Sequence, residues 1–493
     1  MKNIKNPAGG ISLMLTSLLF SSCVWIYGPE MTAPENFSAT TSETDKIVLT
    51  WDSVANADIY YIYRSPSADG TFDYHSFSHA AEYTDTDIDP EVPYWYKITS
   101  SDLESDNESP RTTAVKGDSV HEFAWSQTAV LSTAASRIRI SADPLPEAGF
   151  HDEYRAWAIL AGDTPGSPAE VHGYNRDTDS WEQIGDPFGS ISPSVPVCID
   201  IAAYAGDVFA AYADAGYGGT ITVKRYNWSN ESWENVGTTG PAGISGSDDA
   251  RYISLEAAPD NDNPVPELLW IGSDGSDYTV WSSFYDDNTD TWSTPTDLPS
   301  GTAGPDPYVG TSTVRTGSHL IVAFEDDSGS GDSIELDRYH GSDWDQSLSS
   351  DGLPSGTDGV LDGYFSLDGF SDTELYLAYM TDTFDFEVRR YDGTNWNTDL
   401  TPGSITVSSA SEGVGLAADD VNGDKHLYLF YRESLSGYVQ KRDISAGTWE
   451  LLPAGTDTEE MSLSPSQPRL EVHNNIVYCA YLSGSSAQVR VWR

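Results

Sequence analysis

The chain has 493 residues, with 77 Asp and Glu against 25 Lys and Arg, for a formal net charge of −52. Such acidity excludes nucleic-acid binding, which needs a basic footprint for phosphate, and equally excludes direct adhesion to an anionic membrane surface. Abundant Gly and Pro, 42 and 27 residues, with no long amphipathic helical pattern, indicate short strands joined by turns.

Residues 1–22 read as an export signal. Lys2 and Lys5 give the positive start, and ISLMLTSLLF from Ile11 to Phe20 is too short to span a bilayer. The segment ends in Ser21-Ser22-Cys23. Small residues before a cysteine resemble the bacterial lipoprotein signal. The resemblance implies cleavage before Cys23, lipidation of its sulfur, and an anchor on the extracytoplasmic side of a bacterial membrane. Ordinary secretory cleavage is the alternative. Removing Lys2 and Lys5 leaves the mature chain at −54, a charge that fits a saline habitat or divalent cation partners equally. Residues 23–32 form a tether.

Residues 33–117 read as a β-sandwich. KIVLTW from Lys46 to Trp51, the DIYYIYRS segment and PYWYKIT alternate with the period of a half-buried strand. Pro34, Trp51, the IYYIYRS strand and Tyr94 together resemble a fibronectin type III module, which implies a sandwich serving as spacer or adhesion module, without catalysis.

From residue 118 to 493 a repeat takes over. Trp125, Trp181, Trp233, Trp292, Trp344, Trp396 and Trp449 stand 56, 52, 59, 52, 52 and 53 residues apart. A period near 50 signals one supersecondary unit packed against its copies. Each unit has an apolar run (AWAILAG, ELLWIGS, HLIVAF, LYLAYM, LYLFYR, IVYCAYL), a strand before it, and two strands after it. Runs this short and this apolar predict strands covered on both faces. A second aromatic precedes the repeat tryptophan, at Tyr174, Tyr226, Tyr285, Tyr339 and Tyr391, with Arg442 and Trp492 in the equivalent places of the last two units. Four-stranded units of this period resemble β-propeller blades. The chain stops after a third strand at Trp492, while an orphan fourth strand surrounds Trp125, so the ends are expected to share one blade. The fold class is therefore all-β, a fibronectin type III-like sandwich followed by a seven-bladed β-propeller. Cys198 and Cys479 lie in apolar strands of units that are not neighbours, which predicts buried free thiols.

No catalytic motif emerges, and no cofactor beyond calcium is suggested. Asp163, Asp214, Asp274, Asp326 and Asp382 open the turn after the apolar run, on the face where propellers commonly bind ligands. They would line a cation or sugar face, or simply start tight turns through their own side chains. Tyr217, Tyr278 and Tyr438 fall in loops of the same face, where they would stack on a ligand or stand exposed without one. Asp420, Asn422 and Asp424 alternate like the start of a calcium loop, without its downstream Glu; a hairpin is the competing reading. Two functions fit. One is a membrane-anchored binding or scaffold protein whose propeller face contacts a protein or glycan. The other is an exported glycosidase or lyase using the central cavity.

Overall fold

The computed structural model describes residues 31–493 except 45, 90–91, 103–106, 121–124, 127, 145–152, 163, 165, 192–197, 238–243, 245–249, 261–262, 274–277, 304–310, 317–318, 327–332, 341–342, 346–347, 349–352, 354–359, 382–385, 403–412, 434–435 and 453–464. Among these, regular structure is almost wholly strand, and no helix is long and apolar enough to cross a membrane. The chain divides into two compact units. One holds residues up to Asp87 and Pro93–Ser119, the other Ile88–Val92 and Val120–Arg493.

The first unit is a sandwich. One sheet orders Ser38–Ala39, Ile47–Thr50 and Glu82–Asp85; the other orders Asp73–Ser78, Ile59–Ser65, Tyr94–Asp102 and Asn107–Glu108, with Val115–Gly117 also on Tyr94–Asp102. The alternation read from the sequence decides the burial. Ile47 and Leu49, Ile62, and Tyr96 and Ile98 are fully buried. Trp51 is buried edge-on against Tyr60, with ring centroids 5.2 Å apart. The core also holds a charge. Asp85 accepts from the Tyr96 hydroxyl at 2.7 Å and pairs with Arg64 at 3.2 Å. Arg64 lies over the Tyr94 ring at 4.5 Å. Hydrogen bonds from His75 and Tyr96 and the Arg64 charge outweigh burial and hold the Asp85 carboxyl below its ordinary range.

The second unit contains, among the described residues, seven antiparallel sheets of the propeller type. Their first strands are Arg137–Ala142, Ile199–Tyr204, Arg251–Asp260, Thr311–Thr316, Val360–Ser371, Gly415–Val421 and Pro465–His473. Each touches the next, and the last touches the first, so these strands form a closed inner ring. The second strands carry the apolar runs and are buried along nearly their whole length, as in Tyr154–Ala161, Glu374–Thr381 and Ile476–Ser483. A neighbouring sheet covers each face, which is why these runs do not alternate. Cys198 and Cys479 are buried thiols in no disulfide among the described residues.

The aromatic period is a cross-strand pair. Tyr174 lies opposite Trp181, Tyr226 opposite Trp233, Tyr285 opposite Trp292, Tyr339 opposite Trp344, and Tyr391 opposite Trp396. Ring centroids in these pairs stand 5.2–5.6 Å apart. In the sixth sheet Arg442 takes the tyrosine's place and lies 5.7 Å over Trp449. The pair itself lies within one sheet, and the indole reaches the neighbour. Trp233 Nε1 donates to Ile184 O at 2.9 Å, Trp292 to Val236 O at 3.0 Å, and Trp449 to Leu400 O at 2.6 Å. Gly185, directly after Ile184, has φ +67°, and a Cβ there would meet Tyr226 at 2.9 Å and Trp233 at 3.1 Å. Only glycine allows both the left-handed turn and the close indole.

The last sheet joins both ends of the unit. Ala129–Ser132 pairs with Ser486–Trp492, and Trp125 bridges Trp492. The expected outer strand is therefore present, with its regular part slightly after Trp125.

Candidate functional site in the propeller centre

The inner strands create a specific problem. Each is the edge of its own sheet, so backbone N–H groups facing the next sheet have no ladder partner, and burying them unpaired is costly. Side chains of the preceding sheet satisfy such groups, in the strands themselves and in the turns that follow the second and the seventh. Asp143 accepts from Ala205 N at 2.9 Å and Gly206 N at 2.7 Å. Asp200 accepts from Leu255 N at 2.7 Å, Ser312 from Leu367 N at 2.9 Å, Asp368 from Ala418 N at 2.8 Å, and Asp419 from Asn475 N at 2.6 Å. Between the third and fourth strands the link runs through side chains, Thr313 donating to Glu256 at 2.6 Å. Glu471 accepts from the backbone of Ala142 and so links the seventh strand to the first.

Inside this ring lies a cavity of about 570 Å³, lined by all seven inner strands. Its charged lining residues are Arg139, Arg315 and Arg469 against Asp200, Glu256, Asp368 and Glu471. The hydroxyl-bearing Ser141, Tyr204, Tyr252, Ser254 and Thr313 lie among them. Burial pushes Asp200 up to about 6, and Glu256 and Asp368 up to about 7. Glu471 rises well above the carboxylate range through burial and the nearby Asp368, Glu256 and Asp200. Burial also draws Arg469 down to about 9, with Arg139 adding repulsion. Carboxyl groups poised near neutrality can donate or accept a proton, and raised carboxyls in a cavity are a frequent mark of function.

The four carboxyls are not equally committed. Asp368 uses both oxygens on backbone, from Gly369 N at 2.7 Å and from Ala418 N. Glu256 has only Oε1 engaged among the described residues. Arg139 and Arg469 each place Nη1 on the carbonyl preceding them in the chain, Ile138 at 2.8 Å and Pro468 at 3.0 Å. Glu256, Glu471, Arg139 and Arg469 therefore retain polar capacity toward the cavity, whereas Asp200 and Asp368 mainly hold the ring.

The residues singled out from the sequence lie elsewhere. Asp214 caps the short turn Ala215–Tyr217, its Oδ1 accepting from Gly216 N at 2.8 Å, which is the tight-turn role. Tyr217 is exposed. Tyr278 is partly buried, with Arg251 over its ring at 4.6 Å, and Tyr438 stacks on Tyr431 at 5.8 Å. Asp326 ends the second strand of the fourth sheet. Asp163, Asp274, Asp382 and Cys23 lie outside the described residues. Val421 and Asp424 flank a two-residue hairpin turn, one residue after Asp420, in which Asn422 has φ +56° and Gly423 φ +91°. The Asp420 carboxylate accepts from Gly423 N at 2.7 Å, so here too the turn accounts for the residue. The sequence reading missed the cavity acids. Only Glu256 and Asp368 carry a shared local pattern, in ISLE and FSLD of their inner strands.

No family model and no curated protein matches the chain. Among solved structures, an Fn3-like protein from Clostridium thermocellum is 20% identical and covers 18% of this chain and 93% of its own, with a TM-score of 0.17. The polysaccharide lyase Uly1 is 9% identical and covers 75% of this chain and 99% of its own, with a TM-score of 0.47. The Aleuria aurantia lectin in complex with alpha-methyl-L-fucoside is 15% identical, covering 68% and 100%, with a TM-score of 0.42. The chain is similar to these proteins in parts of its architecture, and similarity at this level carries no argument about ligand or activity.

Proposed function

We propose that this protein is an extracytoplasmic glycan-binding protein that takes a sugar into the centre of the propeller. The observation that carries the reading is the cavity of about 570 Å³, in which arginines, carboxyls and hydroxyls converge from seven strands. Its volume falls in the range of roughly 300–1,000 Å³ that suits a small ligand, and a protein surface cannot enter it. Its lining mixes donors and acceptors densely enough for a polyhydroxylated molecule. Attachment through a lipid on Cys23 belongs to the same proposal and rests on the leader and the Ser-Ser-Cys sequence. The test is an oligosaccharide array followed by calorimetry. Binding should be lost in Arg469→Met and Glu256→Gln and retained in Tyr217→Ala. Loss in Tyr217→Ala alone would move the ligand to the loop face.

The raised carboxyls favour one second reading, a glycan-active enzyme at the same cavity, with Glu256 serving as general acid or base. Incubation with polysaccharides separates the two. New reducing ends indicate a hydrolase, ultraviolet-absorbing unsaturated products indicate a lyase, and unchanged substrate leaves binding.

A further inference from the structure

The sixth sheet gathers a group of potential metal-ligating side chains outside the cavity lining. Asp424 and His426 stand two residues apart at the start of one strand, so they share a face. Asp443, at the end of the adjacent strand, lies directly opposite His426 in the register. One ligand atom from each of the three residues comes within 4.8 Å of the others. His426 is 7% exposed, and its Nε2 approaches Asp424 Oδ1 at 3.9 Å, beyond hydrogen-bond reach. Its buried Nδ1 has no hydrogen-bond partner either. The ring nitrogen on the Asp424 side thus faces a carboxylate that it does not reach, a gap that an ion bound between the two would fill.

The geometry points to a divalent transition-metal site formed by Asp424, His426 and Asp443. Asp443 is held in place: its Oδ1 accepts from Ser445 N at 2.7 Å and Ala446 N at 2.9 Å, which leaves Oδ2 to bind. Asp424 is exposed and free to rotate, so the roughly 1 Å of closing that bonds of about 2.1 Å demand falls on the most mobile member. One imidazole with two carboxylates suits zinc, cobalt or manganese. Calcium prefers six to eight oxygens and fits poorly. Three protein ligands leave positions open to water or an external group. The site would also clip two strands together beside the Asn422-Gly423 turn. Lys441 places a positive charge near His426 and so opposes the ion. Asp419 lies close as well, but its Oδ2 is committed to Asn475 N at 2.6 Å.

The experiment titrates zinc by calorimetry, and cobalt by its visible absorption, into the full-length chain purified without a histidine tag. One equivalent should bind. Asp424→Asn, whose exposed position does not endanger the fold, should weaken binding by about tenfold or more, as should Asp443→Asn, which keeps the turn acceptor. His426→Gln should remove the imidazole-dependent part of the cobalt spectrum. Asp420→Asn should bind as wild type. Absence of a zinc equivalent, wild-type affinity in Asp424→Asn, or loss in Asp420→Asn instead would each overturn the assignment.

Discussion

Trp125 forms an antiparallel bridge with Trp492, their ring centroids 5.4 Å apart, although 367 residues separate them in the chain. Both are buried, and Ser126 N donates to Val491 O at 2.7 Å beside them. An aromatic pair and a short strand thus complete the last sheet, beside the contact of the seventh inner strand with the first. Trp125→Ala should destabilise the propeller by about 3–5 kcal/mol, the usual cost of emptying a buried tryptophan site. A double-mutant cycle with Trp492→Ala should return a coupling of about 0.5–1.5 kcal/mol. Urea unfolding measures both, and additive losses would deny the pair.

Gly185→Ala tests the indole tether. The substitution places a Cβ at φ +67° and against Trp233 at 3.1 Å. Strain and displacement of the indole together should cost about 1–3 kcal/mol. Gly423→Ala has a positive φ but open space around it, so it should cost less. Equal losses at the two sites, measured by thermal unfolding, would remove the packing part of the explanation.

The cavity carboxyls set a pH dependence. Asp368 is raised to about 7 in the folded chain, so the native state binds more protons than the unfolded one between the ordinary Asp range, near 4, and about 7. Its contribution is present in full below the unfolded value and is lost as pH rises through the folded one. Asp200 and Glu256 act with the same sign. Asp368→Asn should flatten part of the fall in melting temperature between pH 4 and 7. A variant whose slope equals that of wild type would show that Asp368 does not titrate in this window.

In the sandwich the sign is opposite. Asp85 is held below its ordinary range, so its contribution is present above the unfolded value and fades as pH falls through the folded one. Asp85→Ala would take from the buried Arg64 its carboxylate at 3.2 Å and keep that of Asp87 at 3.4 Å. The expected loss is about 3–5 kcal/mol, as for breaking a buried ion pair from one side. Urea unfolding at neutral pH checks it.

Cys23→Ala should move the protein from the membrane fraction to the soluble one, or block its processing. Two or three acyl chains at about 0.8 kcal/mol per buried methylene make the difference large. Fractionation with mass analysis of the mature amino terminus reads it, and an unchanged distribution would rule out the anchor.

The sequence alone determined the strand class, the repeat and the way its ends meet. Each rests on a local rule repeated many times. An apolar run marks a strand covered on both faces, and a Tyr and a Trp a few residues apart mark a cross-strand pair. The strand around Trp125, ahead of the first complete unit, marks an outer strand that belongs to another unit's sheet. Asp214 and Asp420 were legible only as far as a carboxylate before a turn is legible, and in both the turn accounts for the side chain. Only the tertiary structure decided the sites. Arg139 and Glu471 stand 332 residues apart, and each inner strand gives the cavity only a few side chains, so no local spacing records their convergence. The acids Asp200, Asp368 and Glu471 look like scattered polar residues until ring closure turns seven edge strands toward one axis, where unpaired N–H groups require acceptors and low solvent exposure raises these three carboxyls. His426 and Asp443 meet for a similar reason: the register of their two adjacent strands sets them opposite each other.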